Sequence, residues 1–143
     1  MVLRADIVRT LKLLGCPSIG ALDGSDSHHA QARELFTAWR DQQVTPLVSI
    51  VNLSEVLVAP ASDRERLRAA REAIAALGVT VHRPGEAIGV RAARLRATHP
   101  ISLPDAYCLA TAAHIDGAVA SFDRKVLRAA EAEHVPIAPP PAR

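Results

Sequence analysis

Short apolar, β-branched segments alternate with longer amphipathic stretches along this chain, and that alternation constrains the fold more than any other feature. Residues 45–51, 79–82, 117–121 and 135–138 read as short strands, the last an edge strand because Pro136 cannot donate to a ladder. Near the amino terminus, the segment holding Arg9 and Lys12 reads as helical. Ser27 is placed to cap a helix in which Ala32, Leu35, Phe36 and Trp39 recur at helical spacing. Residues 52–58 read as a brief helix stopped by Pro60. Ser62 and Asp63 cap the next one, which sets Leu67, Ala70, Ile74 and Leu77 on one face, arginines on the other, and ends at Gly78. Pro84 opens a helix to about Ala97. Residues 102–105 form a helix entry, with Pro104 tolerated in the first turn, and that helix runs to about Ile115. Asp123 starts a last helix to about Glu133. Strands separated by helices predict an α/β layered fold with a mainly parallel sheet. In such sheets ligands collect beyond the carboxyl ends of the strands, and Asp123 directly follows one.

Composition narrows the class. A length of 143 residues with 49% apolar residues suits one globular domain, expected over residues 1–138 with a proline-rich tail at 139–143. No apolar run approaches the ~20 residues that span a bilayer, and no secretory pattern is visible, so a cytoplasmic location without membrane association is expected. Cys16 and Cys108 fit no metal spacing and are expected as reduced core residues. His28 and His29 point to different helix faces without a third ligand at suitable spacing, which favours a surface role. The net charge of +2 is too small to argue for nucleic acid by itself. Aromatics, at 3%, are too scarce for a base-stacking platform, so any contact with RNA must run mainly through phosphates.

Three acids stand apart from the solvated ones. Glu34, Asp63, Glu65, Glu72 and Glu131 lie among arginines on helices and need no further role. Glu55 is surrounded by Val51, Leu53, Val56 and Leu57, where an ionised carboxylate is costly unless paired or metal-bound. Asp105 sits in a helical first turn, where an acid also interacts favourably with the helix dipole, and Asp123 lies between a strand and a helix, where it could equally be a helix cap. Carboxylates gathered in a fold repel one another unless a cation lies between them, and a hard oxygen donor set selects Mg²⁺ or Mn²⁺.

The order and wording of these segments resemble the PIN domain, most closely the VapC-type ribonuclease toxins of bacterial toxin–antitoxin pairs. The resemblance is carried by Leu53-Ser54-Glu55-Val56-Leu57, by Leu103-Pro104-Asp105-Ala106 continuing into Ala110-Thr111-Ala112, and by Ala120-Ser121-Phe122-Asp123. The loop from Leu22 and Asp23 to Ala30 is also similar. The resemblance implies a PIN-like three-layer fold, a central mainly parallel sheet flanked by helices. It implies a Mg²⁺- or Mn²⁺-dependent endoribonuclease, a homodimer held inactive by a VapB-type antitoxin. Glu55, Asp105 and Asp123 would then be the catalytic and metal-site acids, with Ser121 and Ser54 as supporting hydroxyls. Arg124, Lys125 and Arg128 either meet flanking phosphates or form a solvated helix face.

One position departs from the family pattern. A first aspartate, expected nine residues before the position of Asp23, corresponds to Leu14, and a leucine binds no cation. Asp6 can take its place only if the stretch between them is an insertion. Otherwise the site is degenerate, and the chain is a PIN fold that binds antitoxin or RNA without cutting.

Overall fold

The computed structural model describes residues 9–11 and 29–138. Four parallel strands build one sheet: β1 (Arg9–Leu11), β2 (Pro46–Ser49), β3 (Thr80–His82) and β4 (Ala118–Ala120), in the order β3-β2-β1-β4. β1 lies centrally, with Leu11 in register with Val48 on one side and Ala120 on the other. This corrects the helical expectation around Arg9. A three-residue segment has too little local pattern to declare its state, and pairing on both edges decides it. The expected strand at 135–138 is likewise reduced to one parallel bridge between Val119 and Ile137, held by Val119 N–H to the Pro136 carbonyl and Ala138 N–H to the Val119 carbonyl, both 2.8 Å.

Six α-helices fill the connections among the described residues: α1 (His29–Asp41), α2 (Ile50–Leu57), α3 (Arg64–Ala76), α4 (Glu86–Thr98), α5 (Leu103–His114) and α6 (Arg124–Ala132). A single 3₁₀ turn, Pro60–Ser62, joins α2 to α3. Local chemistry sets the boundaries. Ser49 accepts from Val51 N–H at 3.3 Å, so α2 begins two residues before the expected start. Asp63 accepts from Arg66 N–H at 2.9 Å and opens α3, while Gly78, at φ +71°, closes it in a conformation that glycine adopts without strain.

Val119 packs into a cluster built from α4, α5 and α6, whereas Ala120 packs into one built from α1, β2, α2 and α3. Successive strand residues point to opposite faces, so the sheet separates two cores and the molecule has three layers. In the second core Trp39 is 1% exposed, its ring edge-on to Phe36 at 5.4 Å. Leu35, Phe36 and Trp39 are all buried, as the helical spacing predicts. Cys108 is buried in the first core. Ser27, His28, Cys16, Asp23, Leu14, Asp6 and residues 139–143 lie outside the described residues.

Trp39 fills more of the second core than any other side chain, so Trp39→Ala should cost about 3–5 kcal/mol of unfolding free energy, a large share of a domain's usual stability. Urea denaturation followed by circular dichroism measures this. A loss below about 1 kcal/mol would mean that the α1 face is not part of the cooperative core.

Candidate active site

All four strands run the same way, so each ends at one edge of the sheet. β2 passes straight into α2 at that edge, and β4 reaches α6 there through Ser121, Phe122 and Asp123. α5 precedes β4 by only a short connection, so it runs against the strands and brings its first turn back to the same edge. The sheet therefore directs all three acid-bearing segments to its carboxyl side.

Asp105 is the most enclosed acid. It is 5% exposed, in the first turn of α5, within a reciprocal capping box. Its Oδ2 accepts from Ser102 N–H at 3.0 Å, and Ser102 Oγ accepts from Asp105 N–H at 3.2 Å. The residue expected as a metal acid thus also caps a helix. These roles are compatible, because a capped carboxylate is held still and keeps lone pairs for another partner.

Asp123 is half-buried and is the N-cap of α6: its Oδ1 accepts from Lys125 N–H at 2.8 Å. Ser121 Oγ accepts from Asp123 N–H at 3.1 Å, so the hydroxyl holds the acid's own backbone. Glu55 lies half-buried in the second turn of α2. Ser54, its neighbour, is exposed and donates its hydroxyl to the Ile50 carbonyl at 2.8 Å, a bond within its own helix. Arg124, Lys125 and Arg128 are all exposed on α6.

A residue that sequence reasoning missed links two of these segments. Asn52 is fully buried, one turn before Glu55, and its Nδ2 donates to the Pro104 carbonyl at 2.9 Å. Its Oδ1 is buried without a hydrogen-bond partner among the described residues, which costs about 1–3 kcal/mol. The signal was present in the sequence: an amide among Val51, Leu53 and Val56, where burial demands a partner.

Carboxylate and hydroxyl oxygens are the donors that a hard divalent cation takes, and the segments that carry them lie at one sheet edge. Among the described residues no group of three His, Cys, Asp or Glu side chains stands close enough to hold an ion. Mg²⁺ does not require one: it usually keeps several waters and takes one or two carboxylates together with substrate phosphates. The residues present fit such a water-rich site and do not form a closed protein cage.

The PIN domain profile matches residues 19–132. No curated protein matches significantly. Three solved structures share the fold. A toxin–antitoxin complex from Klebsiella pneumoniae aligns at TM-score 0.64 and 20% identity, over 83% of this chain and 89% of that one. VapC20 from Mycobacterium tuberculosis, described as a sarcin–ricin loop cleaving toxin, aligns at 0.65 and 17%, over 84% and 93%. FitAcB from Neisseria gonorrhoeae aligns at 0.61 and 17%, over 93% and 98%. With the family profile spanning most of the chain, and a parallel three-layer fold that superposes on these structures, this protein belongs to the PIN domain family.

Proposed function

We propose that this protein is a VapC-type ribonuclease, the toxin of a toxin–antitoxin pair, acting on RNA with bound Mg²⁺ or Mn²⁺. The observation that carries this reading is Asp105, a carboxylate 5% exposed at the sheet's carboxyl edge in a chain of the PIN family. Buried acids are rare unless something charged or hydrogen-bonding meets them, and this one lies where parallel sheets bind ligands. The described action of VapC20 on an RNA loop and the toxin–antitoxin assembly from Klebsiella supply the precedent for an RNA substrate and an antitoxin partner. A homodimer in the cytoplasm completes the reading.

In it, Glu55, Asp105 and Asp123 hold the cation in one- or two-carboxylate contacts completed by water. A bound divalent ion supplies charge stabilisation at the scissile phosphate and a more acidic water. The chain's own residues orient: the capping box fixes the Asp105 carboxylate, and Ser121 fixes the turn that presents Asp123. Exposed Arg124, Lys125 and Arg128 are available to flanking phosphates.

A second reading, a PIN fold that binds antitoxin or RNA without cutting, is favoured by the sequence: Leu14 holds the position of the family's first aspartate and binds no cation, and the chain order works against Asp6 as its replacement. In a parallel sheet, a residue at the carboxyl edge follows its strand. Asp6 comes before Arg9–Leu11 in the chain, and Leu14 comes after it.

Asp105→Asn keeps an acceptor for Ser102 N–H while removing charge, so metal-free thermal stability should stay equal or rise. The upward shift in melting temperature on adding Mg²⁺ should disappear, because a ligand stabilises only the state it binds. Differential scanning fluorimetry reads both, and a full wild-type Mg²⁺ shift in the variant removes Asp105 from the ligand set.

The two readings separate at Leu14. For a site short of one acid, Leu14→Asp should tighten Mn²⁺ binding and raise RNA cleavage, while Asp6→Asn leaves both unchanged. If Asp6 serves instead, Asp6→Asn should abolish cleavage and Leu14→Asp should not raise it. Calorimetric Mn²⁺ titration and cleavage of a mixed RNA pool on both variants decide the matter. Equal behaviour in wild type and both variants would show that neither position bears on the site.

A further inference from the structure

We infer that Asn52 is a positioning residue that sets the separation between the Glu55 and Asp105 carboxylates; this rests on reading those acids as metal-binding. Its amide ties the first turn of α2 to the first turn of α5, across 52 positions of sequence. Glu55 lies three residues beyond Asn52 on the same helical face, and Asp105 directly follows the accepting residue, Pro104. One hydrogen bond thus joins the two acid-bearing helices near their starts.

The orientation of the amide is decided by its surroundings. Reversing it would set Oδ1 against the Pro104 carbonyl, acceptor against acceptor, so Nδ2 faces Pro104. That orientation leaves Oδ1 buried without a hydrogen-bond partner among the described residues. A leucine, close to asparagine in size and shape, would fill the same space without an unsatisfied polar atom. Asparagine at 52 is therefore a poor choice for stability alone, and what it adds is a directed bond between the helices that carry Glu55 and Asp105. Metal ligands need such support, because small errors in their placement weaken coordination.

The test compares wild type, Asn52→Leu, Asn52→Ala and Asp105→Asn by metal-free thermal melting and by calorimetric titration with Mn²⁺ alone. Asn52→Leu should melt at or above the wild-type temperature without metal, yet bind Mn²⁺ about 10–100-fold more weakly, the loss usual for a supporting partner of a metal ligand. Asn52→Ala, which removes the donor without adding bulk, should show the same loss of affinity and so serves if the leucine variant fails to fold. Wild-type Mn²⁺ affinity in the Asn52 variants, beside a large loss in Asp105→Asn, overturns the role of Asn52 and leaves the metal reading standing. A lower melting temperature with unchanged affinity also overturns it, since that is the behaviour of a purely structural residue. Wild-type affinity in Asp105→Asn, or no Mn²⁺ binding by wild type, overturns the metal reading and this inference with it.

Discussion

Helix α5 has almost no solvent face. From Asp105 to Ala112 its residues are buried, with Tyr107 alone partly exposed, and it packs against α2, α4, α6 and three of the four strands. Three of its seven buried residues, Ala106, Ala110 and Ala112, are alanines, which let neighbouring backbones approach closely at little entropic cost. The closeness shows where α4 crosses it: a Cβ added at Gly89 would sit 3.4 Å from Tyr107 Oη. A helix enclosed in this way cannot slide or rotate without disturbing several interfaces at once. Whatever its first turn carries is held with the precision of the core, and that turn carries Asp105.

The other two acids are held by different means. Asp123 is fixed locally, by a chain of two caps in which Ser121 binds the backbone of Asp123 and Asp123 binds the backbone of Lys125. These bonds lie within a few residues and form whenever the turn forms. Glu55 depends on its helix, which Ser49 starts at the end of β2 and which Asn52 anchors to α5. Two of the acids at this edge are therefore helix caps. Capping does not compete with the proposed metal role, since a cap keeps the carboxylate in place.

Much of the architecture was legible in advance because it rests on local rules. Helical spacing marked Leu35, Phe36 and Trp39, and Asp63, Ser102 and Asp123 mark helix starts because their side chains satisfy free backbone N–H groups. The errors fell where local pattern is weakest. β1 is too short to show a period, and only its two neighbours make it a strand, while residues 135–138 have the composition of a strand and manage a single bridge.

For the site, the sequence by itself determined which residues stand apart and the order in which they come. Glu55, Asp105 and Asp123 are exceptional because acids bordering apolar segments must be held by something, and the PIN family profile spans all three segments. Only the tertiary structure decided that Asp105 is buried while Ser54 turns back onto its own helix. It also decided that Asn52 reaches Pro104. The reason is physical: capping and periodicity act over a few residues and are written in neighbours. A bond spanning 52 positions exists only once a parallel sheet has brought the starts of two distant helices to one edge.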